Sequence, residues 1–498
     1  MPVLGIDVGT SGSRALVLGE DGRLLGSSTA EHAAFRSPQA AWAEQDPADW
    51  WRASQEAIQG VLKRTGIAPA TISAVGLTGQ MHGAVLLDER GEVLRPAIIW
   101  CDQRTEQECR WLDDTVGKAR LLELTANPAL TNFTLTKLLW VRTHEPALWK
   151  KVRRVLLPKD YVRYQLSGEF AIDVADASGT LMLDVVRRRW SQEMMDAVGI
   201  DAAVLPALFE SPEVCGRVSE RGAAATGIPA GTPIVAGAGD QAAGAVGMGI
   251  TRPGTVSATL GTSGVVFAAT DRPFLDPGGR LHTFCHAIPD RWHVMGVTQA
   301  AGLSLRWLRD QHGMASGGDA AYTAMVAEAA AVPPGAEGVL WAPYLMGERT
   351  PHRDPNVRGA LLGLAASHGR GHVVRAVLEG VAFSLRDSFT IFAELGLPVE
   401  QIRLGGGGAR SAVWRQIQAD VYGRDVETVE TEEGAVYGAA LLAGVGAGYW
   451  PTVDAACDAV VHTAEVTPAR PDVTLVMTDH YARYRRVYPA LREVYQGR

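Results

Sequence analysis

Val3-Leu4-Gly5-Ile6-Asp7-Val8-Gly9-Thr10-Ser11-Gly12-Ser13-Arg14 opens the chain, and Ala258-Thr259-Leu260-Gly261-Thr262-Ser263-Gly264-Val265 returns half a chain length later. Each stretch is an apolar strand, a Gly-Thr-Ser-Gly turn and the start of a second strand. Such turns offer small side chains and free backbone N–H groups, which close approach to phosphate oxygens requires. Two of them at this spacing imply two related lobes facing one nucleotide, the plan of an ATP-driven phosphotransferase.

Outward from the first turn, Val3–Val8 is nearly all apolar and reads as a central buried strand. Arg14–Leu18, the Asp21-Gly22 turn and Arg23–Thr29 complete a three-strand meander. Asp46-Pro47 supplies an N-cap and a proline at the first helical position, for a helix to about Arg64 that Gly66 stops. A strand over Ile72–Thr78 leads into Gly79-Gln80-Met81-His82-Gly83. A hairpin is expected from Ala84–Leu87 through Arg90-Gly91 to Val93–Trp100, and residues 105–230 read as mainly helical. A buried strand, Pro233–Gly239, then ends on Asp240 and enters the small-residue helix Gln241–Met248.

Arg252-Pro253-Gly254 marks the boundary between a lobe over residues 1–248 and another over 249–498. The second lobe repeats the plan, with a strand–turn–strand over Val256–Ala268 and a helix over Gln299–His312. A long loop covers Trp341 to Arg358, and an amphipathic helix runs from about Gly371 to Leu395. Strand Ile402–Leu404 enters Gly405-Gly406-Gly407-Gly408, and a helix begins from Ser411.

The 498 residues exceed what one hydrophobic core sustains, roughly 250–300 residues. A net charge of −8 and the lack of a dense Lys/Arg run argue against a nucleic-acid partner. The six lysines, Lys63, Lys118, Lys137, Lys150, Lys151 and Lys159, all fall in the first third. Neither a Walker Gly-Lys-Ser/Thr loop nor a protein-kinase strand lysine is therefore present. Backbone amides, hydroxyls, a metal ion and arginines have to neutralise any phosphates. The five cysteines, Cys101, Cys109, Cys215, Cys285 and Cys457, are odd in number and lack Cys-x-x-Cys spacing, as free thiols in a reducing cytosol would be. The N-terminus enters a strand without a basic-then-apolar leader, and the longest small-apolar stretch, Gly438 to Gly448, is too short to span a bilayer. The expectation is a cytoplasmic protein without membrane attachment.

Several residues suit phosphoryl chemistry. Asp7, at the end of an apolar strand beside the first turn, is placed to hold Mg2+ or to form an Asx turn. Asp240 comes after a strand with little bulk near its end, so a substrate hydroxyl has access to its carboxylate; it is also a good helix N-cap. His82, between Met81 and Gly83, offers a neutral imidazole to a polyol or is incidental to its loop. Gly405–Gly408 suits flat contact with a nucleotide or a tight turn into a helix. Glu348-Arg349-Thr350-Pro351-His352-Arg353 either lines the cleft or pins the lobes through ion pairs, the structural role being favoured, and the Trp42 to Trp51 segment reads as a packed loop-to-helix corner rather than a ligand box.

These segments resemble a known family. Gly5-Ile6-Asp7-Val8-Gly9-Thr10-Ser11, Trp42-Ala43-Glu44-Gln45-Asp46-Pro47, Gly79-Gln80-Met81-His82-Gly83 and Leu157-Pro158-Lys159-Asp160-Tyr161 are similar to the FGGY carbohydrate kinases. So are Gly239-Asp240-Gln241-Ala242-Ala243-Gly244-Ala245, Leu260-Gly261-Thr262-Ser263-Gly264, Gly347-Glu348-Arg349-Thr350-Pro351-His352 and Gly406-Gly407-Gly408-Ala409-Arg410-Ser411. The resemblance runs in order over essentially the whole chain, and Gln80-Met81-His82-Gly83 resembles the members that act on D-xylulose. It implies an α/β fold of two lobes, of the sugar-kinase, Hsp70 and actin type, each on a ribonuclease-H-like sheet with ATP in the cleft between them. It implies transfer of the ATP γ-phosphoryl group to the 5-hydroxyl of D-xylulose with Mg2+. By position it makes Asp240 the base and Asp7 the support of metal and phosphates. Met81 and His82, with Asp240 and Gln241, then touch the sugar. Thr10, Ser11, Gly261, Thr262, Gly407 and Gly408 lie against the nucleotide. Homodimers occur among such relatives.

Two departures stand out. Gln241 replaces an asparagine common in the family, which shifts a sugar contact. The segment from Thr131 to Trp140 carries Asn132 where glycine is usual, in a region read as packing. A related kinase for ribulose, glycerol or gluconate is the nearest alternative. An actin- or Hsp70-like ATPase would need a further domain for which little chain remains past about residue 455, and a silent sugar sensor conflicts with intact Asp7 and Asp240.

Overall fold

The computed structural model describes residues 1–311, 318–431 and 433–495. Strand β1 (Val3–Val8) is buried along its length except at Asp7, and pairs antiparallel with β2 (Gly12–Leu18), which pairs with β3 (Leu24–Glu31). Helix α1 (Pro47–Thr65) begins and ends where its caps dictate. The Asp46 carboxylate accepts from Ala48 N at 3.0 Å, and Gly66, at φ 68°, donates to Leu62 O at 3.0 Å. Its apolar stripe, Trp50, Ala53, Ala57, Ile58 and Val61, is buried against β2 and β3. β4 (Val75–Gly79) runs parallel to β1. Helices α2 (Thr134–His144) and α3 (Pro158–Ser167) come next, then β5 (Val214–Arg217), β6 (Pro233–Val235), β7 (Ala238–Gly239) and α4 (Asp240–Gly247). The sheet order is β5-β6-β4-β1-β2-β3, with β7 beside β4.

The second sheet is assembled in the same way. β8 (Gly254–Leu260) and β9 (Gly264–Thr270) flank the second Gly-Thr-Ser-Gly turn, and β10 (His282–Cys285) and β11 (Trp292–Thr298) extend the antiparallel side. Helices α5 (Gly302–Gln311) and α6 (Arg370–Glu394) lie beyond them in the chain. β12 (Val399–Gly406) lies parallel to β8, and α7 (Ala412–Tyr422), β13 (Val426–Val429), α8 (Gly434–Gly446) and β14 (Thr463–Thr467) complete the unit. The order is β10-β11-β9-β8-β12-β13-β14. In both sheets the first strand of a meander has a parallel neighbour on its free side, so each turn lies at the C-terminal end of a central strand. Ligands of α/β sheets bind there.

Helix α8 is buried nearly all round and joins the two halves. A methyl group on Gly5 of β1 would lie 2.5 Å from Val436 O, and one on Gly76 of β4 2.1 Å from Ala439 O. On the opposite side, a methyl on Gly438 would lie 1.8 Å from Ala243 O, and one on Gly247 2.4 Å from Gly434 O. α8 thus touches β1, β4 and α4 backbone to backbone, an approach that only glycine permits.

Several expectations need correction. The hairpin over 84–100 does not form as a pair: Val85–Leu87 pairs with Arg154–Leu156, Ala97–Ile98 pairs with Glu44–Gln45, and only single bridges join Leu87 to Val93 and Ala84 to Ile98. Alternation of apolar residues set the strands but not their partners. Residues 105–230 hold helices interleaved with short strands. The strand over 233–239 breaks at Gly237, whose φ of 70° and position 1.8 Å (for an added methyl) from Leu77 O admit no side chain. The long loop expected from Trp341 starts only after a short strand, Leu340–Ala342, which pairs with Ala360–Leu362. The helix expected over Gln299–His312 is α5, and His312 lies outside the described residues. All five cysteines are free thiols. Among the described residues no helix is long and apolar enough to cross a membrane.

Gly438→Ala should cost about 3 kcal/mol of stability by overpacking the α4–α8 contact, measured by urea denaturation, with a matching fall in turnover. A loss below about 1 kcal/mol would mean that the two backbones separate freely.

Candidate active site

The two turns are built alike. Gly9 N donates to Gly12 O at 3.0 Å, and Gly261 N donates to Ser263 O at 3.0 Å, closing each loop on itself. The remaining carbonyls are then drawn away from the cleft. In the first turn Gln80 Nε2 donates to Gly9 O (3.1 Å), Gln45 Nε2 to Thr10 O (2.7 Å) and His32 N to Ser11 O (2.9 Å). In the second, Gly302 N donates to Gly261 O (2.8 Å), while Ala301 N (3.0 Å) and Leu303 N (3.1 Å) donate to Thr262 O. Among the described residues no acceptor takes the amide N–H groups of Thr10, Ser11, Thr262 or Ser263. Unpaired amides on small turns form a concavity suited to anions.

Asp7 and Asp240 share one cavity of about 780 Å3, together with Gln241, Phe267, Gly405–Gly407, Arg410 and Glu465. Burial pushes the Asp7 carboxyl up to about 6, against the pull of Arg14, its neighbour across the β1–β2 ladder. Burial and then the Asp7 charge push Asp240 up to about 7. Asp240 is the first residue of α4 and Gly239 occupies the cap position, which overturns the N-cap reading of Asp240. Gln241 Nε2 is directed back to Asp240 Oδ1, at 3.4 Å. Asp7 Oδ1 is buried without a hydrogen-bond partner.

Met81 and His82 lie behind this cavity and do not line it. Both are buried, and His82 takes a left-handed φ of 68°. Its Nδ1 lies 2.8 Å from Gly179 O, which requires the proton on Nδ1 and leaves Nε2 as an acceptor in the neutral ring. Burial, with the nearby Lys137 ammonium, holds the imidazole neutral, well below its usual range. The segment from Thr131 to Trp140 supports this loop. Lys137 Nζ donates to His82 O (3.1 Å) and to Asn132 O, Thr134 Oγ1 donates to His82 O (3.2 Å), and Phe133 meets the His82 ring edge-on at 5.1 Å. Below Met81 lies a fully buried charge cluster, with Lys159 Nζ at 2.5 Å from Asp160, 2.7 Å from Asp173 and 3.1 Å from Asp176. A methyl on Gly239 would meet Met81 Cγ at 2.8 Å and Asp176 Oδ1 at 3.2 Å, so this cluster and Met81 set the path into Asp240.

At the other end of the cavity, Gly407–Arg410 form one 3-10 turn between β12 and α7. Gly407 faces the cavity. Gly408 does not: it is buried, and a methyl there would lie 2.4 Å from Leu260 Cδ1. Arg415 donates to Ala409 O (2.8 Å) and pairs with Glu465 (2.6 Å), closing this wall. Thr10, Ser11, Gly261 and Thr262 do not line the cavity; Thr10 is half-buried and the other three are exposed.

Residues 2–247 match the model of the FGGY family of carbohydrate kinases, N-terminal domain, and residues 256–447 match its C-terminal domain. The chain is 41% identical to the xylulose kinase of Escherichia coli K12 over 89% of its length and 90% of that protein. The chain belongs to the FGGY family of carbohydrate kinases. The crystal structure of xylulose kinase from Rhodospirillum rubrum, 31% identical, superposes with a TM-score of 0.92 over 99% of this chain and all of that one. The gluconokinase of Bacillus subtilis is 30% identical over 98% of this chain and 94% of that protein. The fold is therefore the two-lobed α/β fold of the FGGY sugar kinases, and ATP and a sugar are its small-molecule partners.

Seen as an FGGY kinase, the chain carries support residues that local patterns do not mark. Gln45 belongs to the packed corner, since Trp50 Nε1 donates to its Oε1 at 3.1 Å, yet its amide holds the first turn. Gln80 joins the same network at 2.9 Å from Gln45 Oε1. Two glutamines flanking a phosphate-type turn from separate segments are a signal only once the segments are known to meet. Glu348 corrects the ion-pair reading of its loop: among the described residues neither it nor Arg349 or Arg353 forms a salt bridge, and Glu348 is instead buried and hydrogen-bonded.

A carboxyl whose folded pKa lies above its unfolded value of about 3.9 binds its proton more tightly in the native state. Stability from Asp240 is therefore lost as pH rises from about 4 toward 7. Asp240→Asn should raise the Tm of the metal-free protein more at pH 8 than at pH 4, measured by calorimetry. An equal shift at both values would place the Asp240 carboxyl in ordinary solvent.

Proposed function

We propose that this chain transfers the γ-phosphoryl group of ATP to the 5-hydroxyl of D-xylulose, giving D-xylulose 5-phosphate and ADP. The observation that carries the reading is the Asp7–Asp240 pair on one cavity, with Asp7 on the strand that leads into the first phosphate-type turn. The identity to xylulose kinase over most of both chains supports the choice of sugar. The lobes are taken as residues 1–248 and 249–498, and the reaction is placed in the cytoplasm, where five free thiols stay reduced.

Asp240 acts as the general base. A carboxyl poised at about 7 is basic enough to take the hydroxyl proton and still ionised in good part at neutral pH. As the proton leaves, the 5-oxygen bonds to the γ-phosphorus, the bond to the β–γ bridging oxygen breaks, and ADP departs with that oxygen. His82 Nε2 accepts from a sugar hydroxyl, because Gly179 O already takes its Nδ1 proton. Met81 packs under the entry, and Gln241 sits between base and sugar. The amides of Thr10, Ser11 and Thr262 face the phosphates, and Gly261, whose own N–H closes the second turn on Ser263 O, lets the nucleotide approach closely. Gly407 meets the nucleotide and Gly408 backs it against Leu260. Asp7 fits a role as Mg2+ support, since its buried Oδ1 lacks a partner and hard cations favour carboxylate oxygens. When bound, the ion supplies neutralisation of phosphate charge. Closure of the lobes keeps water from competing as acceptor.

A second reading, phosphorylation of another polyol, is favoured by Gln241 and by the 30% identity to a gluconokinase. ADP release across D-xylulose, L-xylulose, D-ribulose, L-ribulose, glycerol and gluconate separates the two: selective turnover of D-xylulose is expected, and preference for gluconate would move the assignment to the second. Asp240→Ala should lower kcat about a thousandfold while ATP binding, tracked by calorimetry, stays intact. His82→Leu should raise the KM for D-xylulose about tenfold and leave that for ATP within about twofold.

A further inference from the structure

The Glu348-Arg349-Thr350 segment is the one conspicuous motif without a task in this reaction. Glu348 is only 3% exposed. Its Oε2 accepts from Thr298 Oγ1 at 2.6 Å, and its Oε1 accepts from Gln299 N at 2.9 Å and Arg349 N at 2.8 Å. Thr298 Oγ1 in turn accepts from Ser384 Oγ of α6, at 3.2 Å. Thr350 adds a clamp one residue earlier on β11, exchanging bonds with Val297 through Oγ1 and through N, each at 3.0 Å. The carboxylate thus fixes the end of β11 and the first residue beyond it.

From Gln299 the chain runs directly into the backbone that holds the second phosphate-type turn. Ala301, Gly302 and Leu303 donate to the carbonyls of Thr262 and Gly261, and a methyl on Gly302 would lie 2.5 Å from Gly261 O. A shift of Gln299 by a fraction of an ångström has no slack to absorb it before it reaches Gly261. The first turn is held differently, by the side-chain amides of Gln45 and Gln80 directly. We propose that Glu348 is a positioning residue for phosphoryl transfer, which acts through Thr298, Gln299 and the amides of residues 301–303 to keep the Gly261-Thr262 turn facing the nucleotide. The proposal rests on the reading of that turn as a phosphate loop. All three donors need only an acceptor or a reorientable partner, so glutamine is the conservative replacement. Burial, which pushes the Glu348 carboxyl up to about 8, also makes a neutral amide acceptable there.

Steady-state kinetics with ATP and D-xylulose varied separately test it. Glu348→Ala should raise the KM for ATP about tenfold, leave that for D-xylulose within about twofold, and be rescued to within about threefold by Glu348→Gln. Gly302→Ala, which displaces the turn directly, should raise the KM for ATP as well. If Gly302→Ala raises it and Glu348→Ala does not, or if Glu348→Ala raises both constants alike, the positioning role falls and the phosphate-loop reading stands. If neither variant moves the KM for ATP, the phosphate-loop reading falls and takes the proposal with it. Should Glu348→Ala fail to fold, Thr298→Val removes one donor from the same carboxylate, and an unchanged KM for ATP in that variant overturns the proposal.

Discussion

The cleft depends on how closely helices α4 and α8 approach. Gly438 and Gly247 bring their backbones into direct contact, and Gly5 and Gly76 seat the other side of α8 on β1 and β4. α4 begins at Asp240 and β1 carries Asp7, so both carboxylates take their position from one helix. Contacts of this kind contain no flexible side chain to absorb a displacement, and protein interiors are packed too densely to dissipate one. The spacing of Asp7 and Asp240 is therefore a property of backbone packing, remote in sequence from either residue.

Electrostatics is tuned by the same packing. Removing Asp7 and Asp240 from bulk water raises both, and the Asp7 charge raises Asp240 further than burial alone would. That arrangement lowers stability at neutral pH and makes the Asp240 carboxylate more basic, an ordinary exchange at functional sites. Beneath Met81 two cations, Lys159 and Arg163, face three carboxyl groups, Asp160, Asp173 and Asp176, without solvent, and burial pushes Asp173 and Asp176 up. The two halves reach one local geometry by different supports. The side-chain amides of Gln45 and Gln80 with the main-chain amide of His32 hold the first turn, and main-chain amides anchored by a buried carboxyl group hold the second.

Much of this is legible in the sequence. The caps of α1 are local chemistry, with Asp46, Pro47 and Gly66 each sufficient for its own step. The long α6 is readable from its apolar period, but not its surroundings: Val373 of the expected face is only half-buried, while residues 374–385 are buried on every side, so the helix is central rather than amphipathic. The repeated turn announces two related sheets. Asp240 stands out through the small residues before it, although its local context also suggests a cap that the structure assigns to Gly239. His82 is singled out by its neighbours, but neither its left-handed backbone nor its bond to Gly179 O has any signature in the surrounding residues.

The sequence by itself determined whatever acts over a few residues: strand and helix periods, caps, the Gly-Thr-Ser-Gly turns, and the family to which their order belongs. Only the tertiary structure decided which distant groups meet. Val85–Leu87 pairs with Arg154–Leu156 rather than with its chain neighbour, Gln45 reaches Thr10 O, Gly438 meets Ala243, and Glu348 fixes Gln299. A period of two or of 3.6 residues says which face of an element is apolar, but any complementary face satisfies it. The choice among them is made by the simultaneous packing of all elements, and the buried polar groups then have to find partners wherever that packing has left them.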